Sequence, residues 1–476
     1  MKFYNRKNEL DALSKIYDLS LRLSHMVVIT GRRRIGKTEL IKQFAKRKNN
    51  VIYLFVSKKK TGVLLEEFRD ILSLKIPFLK NVVFNNFDDF FSFIFDYMKE
   101  NHTLIVIDEF QNFQSVDPSI FSIFQKHWDL KKNDIKGAFI LIGSVFTAMR
   151  KIFEGEKEPL MGRATAKFYI EPLKPHSIIE ILKDHKVDTS ADILFYYTLF
   201  GGVPKYYFLL DRYELFGKHK DEIIKTLFCE QNAVLQNEGR DIFIEEFGKN
   251  YTVYFSILQS IASGNTQMVR IADDCGINVN SISKYLDELT SYYGIIERRV
   301  PVTEFKNEKI GRYYILDNAV NFWFRYIFKN QSLIEIGDKK TLTDKILNDL
   351  NTLMGFKWEQ LVKNILKEKN ILPFKFIKIG GFWTRKENIE IDITALNETE
   401  GKILFGECKL NGNNFTALDI KKFKEKARYV KWKHGKRTEY YALFSFAEIK
   451  EEIKIRLKKE NILAYDLNSF FLNNFL

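Results

Sequence analysis

The chain has 476 residues, more than one hydrophobic core usually serves, so about three domains are expected. Hydrophobic residues make up 45% of it and aromatic residues 15%, which excludes an intrinsically disordered chain. Lysine and arginine (75) outnumber aspartate and glutamate (61), and the net charge of +14 favours polyanionic partners. Three scattered cysteines without a CxxC pair support neither a disulfide framework nor a structural zinc site. The apolar runs fall far short of a membrane span, so we expect a soluble, cytoplasmic protein without a membrane partner.

Four short apolar runs alternate with amphipathic stretches over residues 1–172. They are HMVVIT (25–30), NVIYLFV (50–56), TLIVID (103–108) and AFILIG (138–143). Runs of this length, separated by helical patterns, are typical of parallel strands that are buried on both faces. The sequence therefore predicts an α/β fold that begins with a parallel sheet.

The segment GRRRIGKT directly follows the first run and fits the pattern G-x-x-x-x-G-K-[ST]. Its glycines would let successive N–H groups point at a phosphate, Lys37 would reach the β- and γ-phosphates, and the Thr38 hydroxyl would bind Mg²⁺. An ordinary strand-to-helix turn is the alternative. We therefore predict ATP and Mg²⁺ as cofactors. The residues predicted to hold the nucleotide are Gly31, Arg32, Arg33, Arg34, Ile35, Gly36, Lys37, Thr38 and Glu39.

Polar residues at the ends of the third and fourth runs complete this predicted site. Asp108 would bind the Mg²⁺ shell, and Glu109 would act as general base on the attacking water. Ser144 would lie beside the γ-phosphate in a sensor position, with a simple turn serine as the alternative. Arg163 is a candidate for stabilising the charge of the transition state, with a surface salt bridge as its alternative.

Residues 173–250 are periodic at helical spacing, and Gly201, Gly202 and Pro204 interrupt them. These residues would end one helix and begin the next, as a lid loop over a nucleotide requires. An inert turn between two helices fits the composition equally well.

Residues 251–332 have the element order of a winged helix-turn-helix. Its first and third helices are predicted by VYFSILQSIASG and VNSISKYLDELTSYYG. Its second helix is predicted by TQMVRIADD and would be capped by Thr266. IIERRVPV and GRYYILD would form the wing hairpin, on which Arg298 and Arg299 would contact DNA phosphates. A purely interdomain role is equally consistent, because the zone is nearly neutral. The residues that the third helix would present to DNA are Asn278, Asn280, Ser281 and Lys284.

Residues 345–476 predict the order αβββαβ of a restriction-endonuclease-like core. If NIEIDITAL and KILFGECKL form a hairpin about the polar loop NETEG, residues that face each other share one index sum. Asp392 then opposes Glu407 and Glu390 opposes Lys409, all on one face of the sheet.

Apposed carboxylates on that face make a divalent metal the natural explanation, because a cation neutralises their repulsion. Asp392 and Glu407 would bind Mg²⁺ or Mn²⁺, and Lys409 would orient or deprotonate the water. Glu359 would reach the site from the preceding helix. This is the D…ExK pattern of PD-(D/E)xK phosphodiesterases, although no proline precedes Asp392. A solvated sheet face with an ordinary Glu–Lys pair is the alternative.

The stretch KKFKEKARYVKWKHGKR (421–437) carries nine basic residues against one acidic residue. It is the predicted contact with DNA, and a solvated lysine-rich helix face is its alternative.

Several segments resemble the archaeal ATPase family, a branch of AAA+-like, STAND-related P-loop ATPases. They are FYNRKNEL (3–10), GRRRIGKT (31–38), LIVIDEFQ (104–111), LIGSVFTAM (141–149), PLMGRAT (159–165), GGVPKYYFLL (201–210) and GRYYILDNAVNFWFRYI (311–327). The resemblance covers nearly the whole chain and implies an ATPase core, a helical lid, a winged helix and a nuclease-like domain of unknown function. It also implies that Arg6 and Glu9 belong to an amino-terminal box near the adenine.

We interpret the chain as a multidomain ATPase whose nucleotide state positions a nuclease-like domain on DNA. One other hypothesis is a STAND-type regulatory switch with an inert C-terminal binding domain, and another is a DNA-binding repressor with an idle ATPase core. The sequence leaves a homo-oligomer open. The predicted P-loop core, lid, winged helix and nuclease-like domain are residues 1–172, 173–250, 251–332 and 345–476.

Overall fold

The structure is a computed structural model that describes residues 2–187, 189–304, 310–385, 387 and 389–468. The chain divides into two compact units. The amino-terminal unit contains Lys2–Pro172 and Val203–Lys205, and the carboxy-terminal unit contains Leu173–Gly202 and the described residues from Tyr206 onward. The segments predicted as lid, winged helix and nuclease-like domain thus pack together, and their boundaries stay predictions.

A parallel sheet of five strands forms the centre of the amino-terminal unit. Its strands are β1 (His25–Thr30), β2 (Val51–Phe55), β3 (Thr103–Asp108), β4 (Gly137–Ile142) and β5 (Ala166–Tyr169). Their order in the sheet is β2-β3-β4-β1-β5, and every neighbouring pair is parallel. The first four strands coincide with the apolar runs, which confirms the predicted parallel sheet. Strand β5 was not predicted, because it is short and only half of its side chains turn inward.

Helices cover both faces of this sheet. They are α1 (Lys7–Leu19), α2 (Lys37–Ala45), α3 (Thr61–Ser73), α4 (Phe87–Glu100), α5 (Phe113–Val116), α6 (Ile120–Lys131) and α7 (Phe146–Glu154). Alternate residues of β1, such as Val28 and Val27, enter two different hydrophobic clusters, one rich in phenylalanine from α3, α4 and α6, and the other built with α1 and α2. Burial on both faces explains why these strands read as continuous apolar runs.

Helices form most of the first part of the carboxy-terminal unit. They are α8 (Pro175–Asp184), α9 (Ser190–Phe200), α10 (Pro204–Arg212), α11 (Lys220–Ile224), α12 (Glu238–Phe247), α13 (Tyr251–Ala262), α14 (Met268–Cys275), α15 (Val279–Asp287), α16 (Asn318–Phe322), α17 (Gln331–Glu335) and α18 (Lys339–Glu368). Within the described ranges, no helix combines the length and the apolar character that a bilayer crossing needs.

Helices α13, α14 and α15 are followed by an antiparallel hairpin of β6 (Ile296–Arg299) and β7 (Arg312–Ile315), as predicted. The prediction that Thr266 caps the second helix is wrong, because Gln267 is the residue that precedes α14. The carbonyl of Thr266 instead accepts the N–H of Tyr313 at 2.8 Å, since the chain runs extended beside β7 before α14 begins.

The last part of the chain forms a mixed sheet. Its strands are β8 (Lys378–Trp383), β9 (Glu390–Asn397), β10 (Lys402–Lys409), β11 (Thr438–Ser445) and β12 (Ile462–Asp466), and its helices are α19 (Ala417–Arg428) and α20 (Glu451–Lys459). The sheet order is β12-β11-β10-β9-β8, in which β9 is antiparallel to both of its neighbours. The β9–β10 ladder runs from Asn397 opposite Lys402 to Ile393 opposite Gly406, which confirms the predicted register.

Candidate functional site

The loop between β1 and α2 curls at the carboxyl edge of the parallel sheet. Gly31 and Gly36 have φ angles of 144° and 85°, and a β-carbon on Gly31 would meet the carbonyl oxygen of Ile170 at 2.6 Å. The Nζ atom of Lys37 donates to the carbonyl oxygens of Gly31 at 2.8 Å and of Arg32 at 2.7 Å. The ammonium group therefore lies inside the loop, where the phosphates of a nucleotide would meet it.

Three hydrogen bonds hold Asp108 at the end of β3. Its Oδ2 atom accepts the hydroxyl of Thr38 at 3.0 Å and the hydroxyl of Tyr53, and its Oδ1 atom accepts the N–H of Glu109 at 2.9 Å. Burial and then the bond to Asp108 raise the pKa of Tyr53 well above its usual range, so this hydroxyl stays a donor.

The hydroxyl of Thr38 and the carboxylate of Asp108 fit a magnesium ion. Because Thr38 donates its proton to Asp108, the lone pairs of its oxygen atom remain available to a cation. Hydroxyl and carboxylate oxygens are the ligands that Mg²⁺ prefers in nucleotide sites.

Glu109 follows β3 directly and adopts a left-handed conformation with φ 54°. Its Oε1 atom accepts the hydroxyl of Ser144 at 2.8 Å, and its Oε2 atom accepts the side-chain amide of Gln111. Strand β4 lies between β1 and β3, which brings Ser144 beside Glu109. A β-carbon on Gly143 would lie 2.1 Å from Cγ of Met149 and 2.6 Å from Oε1 of Gln111, so a larger residue there would displace both side chains. Ser144 thus contacts the predicted general base, and its contact with a γ-phosphate stays a prediction.

Arg6, which the resemblance places near the adenine, is buried against the P-loop. Its guanidinium donates to the carbonyl oxygens of Glu171 at 2.6 Å and of Ile35 at 3.4 Å, and it pairs with Glu9 at 3.0 Å. The ion pair joins the two residues of the predicted amino-terminal box.

The other residues predicted to hold the nucleotide lie in the same loop and in the first turn of α2. Ile35 is buried, whereas Glu39 accepts the side-chain amide of Gln43 at 2.6 Å on the helix surface. A β-carbon on Gly36 would lie 3.9 Å from Cγ of Pro204, which belongs to the same unit. Pro204 of the predicted lid loop therefore lies next to the P-loop, and a closing motion stays a prediction.

Arg163 lies at the end of the sheet opposite to the P-loop. Strand β5 runs parallel to β1 and pairs Ala166 with Val27, so the residues before β5 lie at the amino edge of the sheet. There the guanidinium bonds Asp129, with Nη2 at 2.7 Å from Oδ2, and the carbonyl of Pro159. Arg163 therefore lies away from the P-loop of its own chain and forms the surface ion pair of the alternative, while a role in stabilising the charge of the transition state stays a prediction.

Asp392 and Glu407 lie directly beyond the last recorded pair of the β9–β10 ladder. The Oδ2 atom of Asp392 accepts the N–H of Cys408 at 2.8 Å. Burial and then the charge of Glu407 raise the pKa of Asp392 to about 6. The two carboxylates therefore repel each other, as the predicted register implies.

Two lysines compensate the buried Glu407. The Nζ atom of Lys409 lies 3.0 Å from its Oε1 atom, and that of Lys426 on α19 lies 3.3 Å from its Oε2 atom. Burial lowers the pKa of Lys409, but the charge of Glu407 outweighs it, and the net shift is upward. Lys409 is therefore a cation, which favours a role in orienting water over one in deprotonating it.

Glu359 on α18 belongs to the same neighbourhood. Burial and then the charge of Asp392 raise the pKa of Glu359 to about 8. Among the described residues, no group of three or more His, Cys, Asp or Glu side chains is arranged to hold a metal ion. The binding of a divalent metal by Asp392 and Glu407, with Glu359 reaching the site from α18, therefore stays a prediction.

Glu390 contacts the β6–β7 hairpin. Nη1 of Arg312 lies 2.7 Å from Oε1 of Glu390, and its guanidinium stacks over the ring of Trp383 at 4.7 Å. The predicted opposition of Glu390 and Lys409 is absent from the recorded β9–β10 pairs. The paired ladder ends at Ile393 and Gly406, and Glu390 pairs with Arg312.

Comparison with known proteins agrees with this geometry. Residues 3–210 match an ATPase domain predominantly from Archaea, and residues 323–426 match a family of archaeal and bacterial proteins of unknown function. The uncharacterized protein MJECL04 of Methanocaldococcus jannaschii is 33% identical over 472 residues, which cover 98% of this chain and 100% of that protein. The chain belongs to this archaeal ATPase family. The family supports ATP binding and hydrolysis as its activity.

Solved structures are similar to this chain at low sequence identity. The Walker-type ATPase PABY2304 of Pyrococcus abyssi has a TM-score of 0.52 and 17% identity, over 68% of this chain and 96% of that chain. The ORC2 protein of Aeropyrum pernix, in its ADPNP–ADP complexes, has a TM-score of 0.44 and 16% identity, over 73% of this chain and 96% of that chain. The first likeness shows the P-loop fold of this archaeal ATPase.

Three contacts of this archaeal ATPase were not predicted from its sequence. Tyr53 stands in an apolar strand and reaches Asp108 across the sheet. Gln111 binds Glu109, and its position in LIVIDEFQ was the signal that could have found it. Lys426 falls in the basic stretch predicted to bind DNA, yet it contacts Glu407.

Proposed function

We propose that the chain hydrolyses ATP at the P-loop with Mg²⁺, and that ATP turnover controls a C-terminal domain that acts on DNA. One observation carries the first half of this proposal: Lys37, the Thr38–Asp108 pair and the Glu109–Ser144 pair converge at one edge of the sheet. A catalytic cation, a metal-ligand pair and an oriented carboxylate are the parts that phosphoryl transfer to water needs.

Each side chain has a distinct role in this proposal. Lys37 would exchange its two backbone acceptors for phosphate oxygens. Thr38 and Asp108 would hold the Mg²⁺, which when bound neutralises charge on the phosphates. Glu109 would take the proton of the attacking water, and the hydroxyl of Ser144 orients its carboxylate.

The variant Glu109→Gln tests the ATPase proposal. It keeps the shape of the side chain but removes the base, so turnover should fall about 10²- to 10⁴-fold while nucleotide binding persists. Phosphate release and binding of a fluorescent ATP analogue measure the two effects. The control Glu154→Gln changes a surface glutamate that pairs with Arg150 and should leave both unchanged. Turnover within twofold of wild type in Glu109→Gln would refute the role of Glu109.

A basic surface on α19 and the turn after it supports a nucleic-acid partner. Within the described part of the chain, its exposed cations form no ion pair with an acidic side chain. Such cations are free to bind phosphates. The predicted contact Lys433 donates instead to the carbonyl of Glu398 at 2.6 Å. The cations without an acidic partner are Lys421, Lys422, Arg428, Lys431 and Lys436.

Charge reversal tests the DNA contact. Changing Lys421, Lys422 and Lys431 to Glu should weaken DNA binding at every sequence and lower the log–log salt slope by about 0.9 for each phosphate that is no longer neutralised. A matched variant with Lys450, Lys458 and Lys459 changed to Glu alters the net charge equally on a different helix. Equal losses in the two variants would reduce the effect to overall charge and refute a specific surface.

Contacts of the β6–β7 hairpin support an interdomain role for the predicted winged helix. The N–H of Val302 donates to the carbonyl of Gly381 at 3.0 Å, and Nε1 of Trp383 donates to the carbonyl of Ile310 at 2.8 Å. Arg299, a predicted phosphate contact, donates to Glu297 at 2.7 Å. The start of α15 is exposed, and a role of the winged helix in reading DNA would depend on this surface.

A regulatory switch with an inert C-terminal domain is the second candidate. The neutralisation of Glu407 by two lysines favours it, because that carboxylate is already balanced without a metal. A nuclease assay of the full chain on single- and double-stranded DNA, with and without ATP and Mn²⁺, decides between the two. Metal-dependent cleavage supports the nuclease proposal, and its absence under all conditions supports the switch.

A further inference from the structure

Asp108 has one hydrogen-bond donor that the nucleotide-binding motifs do not supply. The donor is the hydroxyl of Tyr53 on β2, the edge strand that pairs with β3. In that pairing Phe55 lies opposite Asp108 and Tyr53 lies opposite Val106, so the phenol extends along the ladder toward the carboxylate. The ring packs against the hydrophobic cluster that α1 and α2 form with the sheet. Packing therefore accounts for the ring, whereas the direction of the hydroxyl needs another explanation.

The same oxygen atom of Asp108 receives both side-chain donors. Its Oδ2 atom accepts Thr38 at 3.0 Å and also accepts Tyr53, while its Oδ1 atom accepts the N–H of Glu109 at 2.9 Å. A carboxylate with donors on both oxygen atoms cannot rotate without breaking one of these bonds. Tyr53 thus adds a second donor on Oδ2 and helps to fix the plane of the carboxylate to which Thr38 donates.

We propose that Tyr53 is a positioning residue of the ATPase that sets how well the Thr38–Asp108 pair binds Mg²⁺. The proposal rests on the proposed magnesium-dependent hydrolysis at the P-loop. Thr38 offers its oxygen lone pairs to the metal only while its proton points at Asp108, and Tyr53 holds Asp108 in the orientation that receives this proton. Partners that orient metal ligands typically account for 10- to 100-fold in metal affinity or activity.

The variant Tyr53→Phe tests this role, because it removes one oxygen atom and keeps the packed ring. Binding of a fluorescent ATP analogue to the full chain is measured first in EDTA and then with increasing Mg²⁺. Affinity in EDTA should stay within twofold of wild type. The Mg²⁺ concentration for half of the metal-dependent gain in affinity should rise about tenfold. Turnover should show the same shift and recover as Mg²⁺ is raised.

Tyr97→Phe is the matched control. Tyr97 lies on α4 of the same unit, and its ring stacks on Phe93. Within the described ranges its hydroxyl has no hydrogen-bond partner, so the Mg²⁺ dependence of this variant should equal that of wild type.

Two results would overturn the proposal. An unchanged Mg²⁺ dependence in Tyr53→Phe would show that the hydroxyl does not act on the metal site. Equal losses of affinity in EDTA and in Mg²⁺, together with a lower melting temperature, would show a structural role instead. Failure of the underlying ATPase proposal would look different, since Mg²⁺ would then have no effect on binding by the wild-type chain.

Discussion

The carboxylates of the two sites have different kinds of partner: neutral donors in the nucleotide site, and two lysines beside one backbone N–H in the C-terminal site. In the nucleotide site, Asp108 accepts three hydrogen bonds and Glu109 accepts two from side chains. In the C-terminal site, Asp392 accepts one backbone N–H, and burial together with Glu407 raises its pKa to about 6. The comparison teaches that the first site is ordered by neutral donors, whereas the second keeps a repulsion that a cation or a proton would relieve.

The largest expected effect is a loss of nucleotide affinity that leaves the C-terminal site unchanged. Lys37→Ala removes the ammonium that would bind the β- and γ-phosphates, and nucleotide affinity should fall about 100-fold or more, because charged hydrogen bonds contribute about 1.5–3 kcal/mol each. Stabilisation of the chain by Mn²⁺ at the C-terminal site should persist. Lys42→Ala, on the exposed side of the same helix, is the control. Normal ATP binding by Lys37→Ala would contradict the assigned P-loop chemistry.

Asp392→Asn should remove metal binding at the C-terminal site and leave the nucleotide site unchanged. The amide still accepts the N–H of Cys408 but no longer repels Glu407, so the metal-free variant should be slightly more stable near pH 7.5. It should lose the stabilisation that Mn²⁺ gives to wild type, about 2.7 kcal/mol at 100 times the dissociation constant. Thermal melting without nucleotide measures both effects, and ATP turnover should not change. Glu398→Gln, which alters an exposed pair with Lys378, is the control. Equal Mn²⁺ stabilisation in Asp392→Asn and wild type would exclude this metal site.

The smallest effect concerns a buried cation on α18 near the C-terminal site. Lys357 donates to the side chain of Asn318 at 2.9 Å, and burial, followed by repulsion from Arg299, lowers its pKa from 10.5 to about 7. Between these two values the unfolded chain binds more protons than the folded chain, so this lysine makes stability rise as pH rises. Lys357→Met should remove a rise of about 2 kcal/mol between pH 7 and pH 9. Urea unfolding at several pH values measures it, and an equal slope in both proteins would show that Lys357 does not titrate there.

Site residues that belong to short contiguous motifs could be predicted, whereas positions that depend on distant parts of the chain could not. The P-loop, Asp108 and Glu109 were predictable, because each belongs to a short motif at the end of an apolar strand. The β9–β10 register was predictable as well, since a hairpin about a short loop allows few alternatives. The position of Arg163 was not predictable, because it depends on which edge of the sheet the start of β5 occupies.

The sequence by itself determined the parallel sheet, the phosphate-binding loop, the order of the C-terminal helices and strands along the chain, and the pairing that brings two carboxylates together. Periodicity and motif spacing are properties of contiguous residues, so they can be recognised in the sequence alone. Only the tertiary structure decided that Tyr53 binds Asp108, that Lys426 binds Glu407 and that Arg312 binds Glu390. Each of these contacts joins residues from separate helices or strands. Which residues meet depends on how these elements pack, and no local sequence pattern encodes that packing.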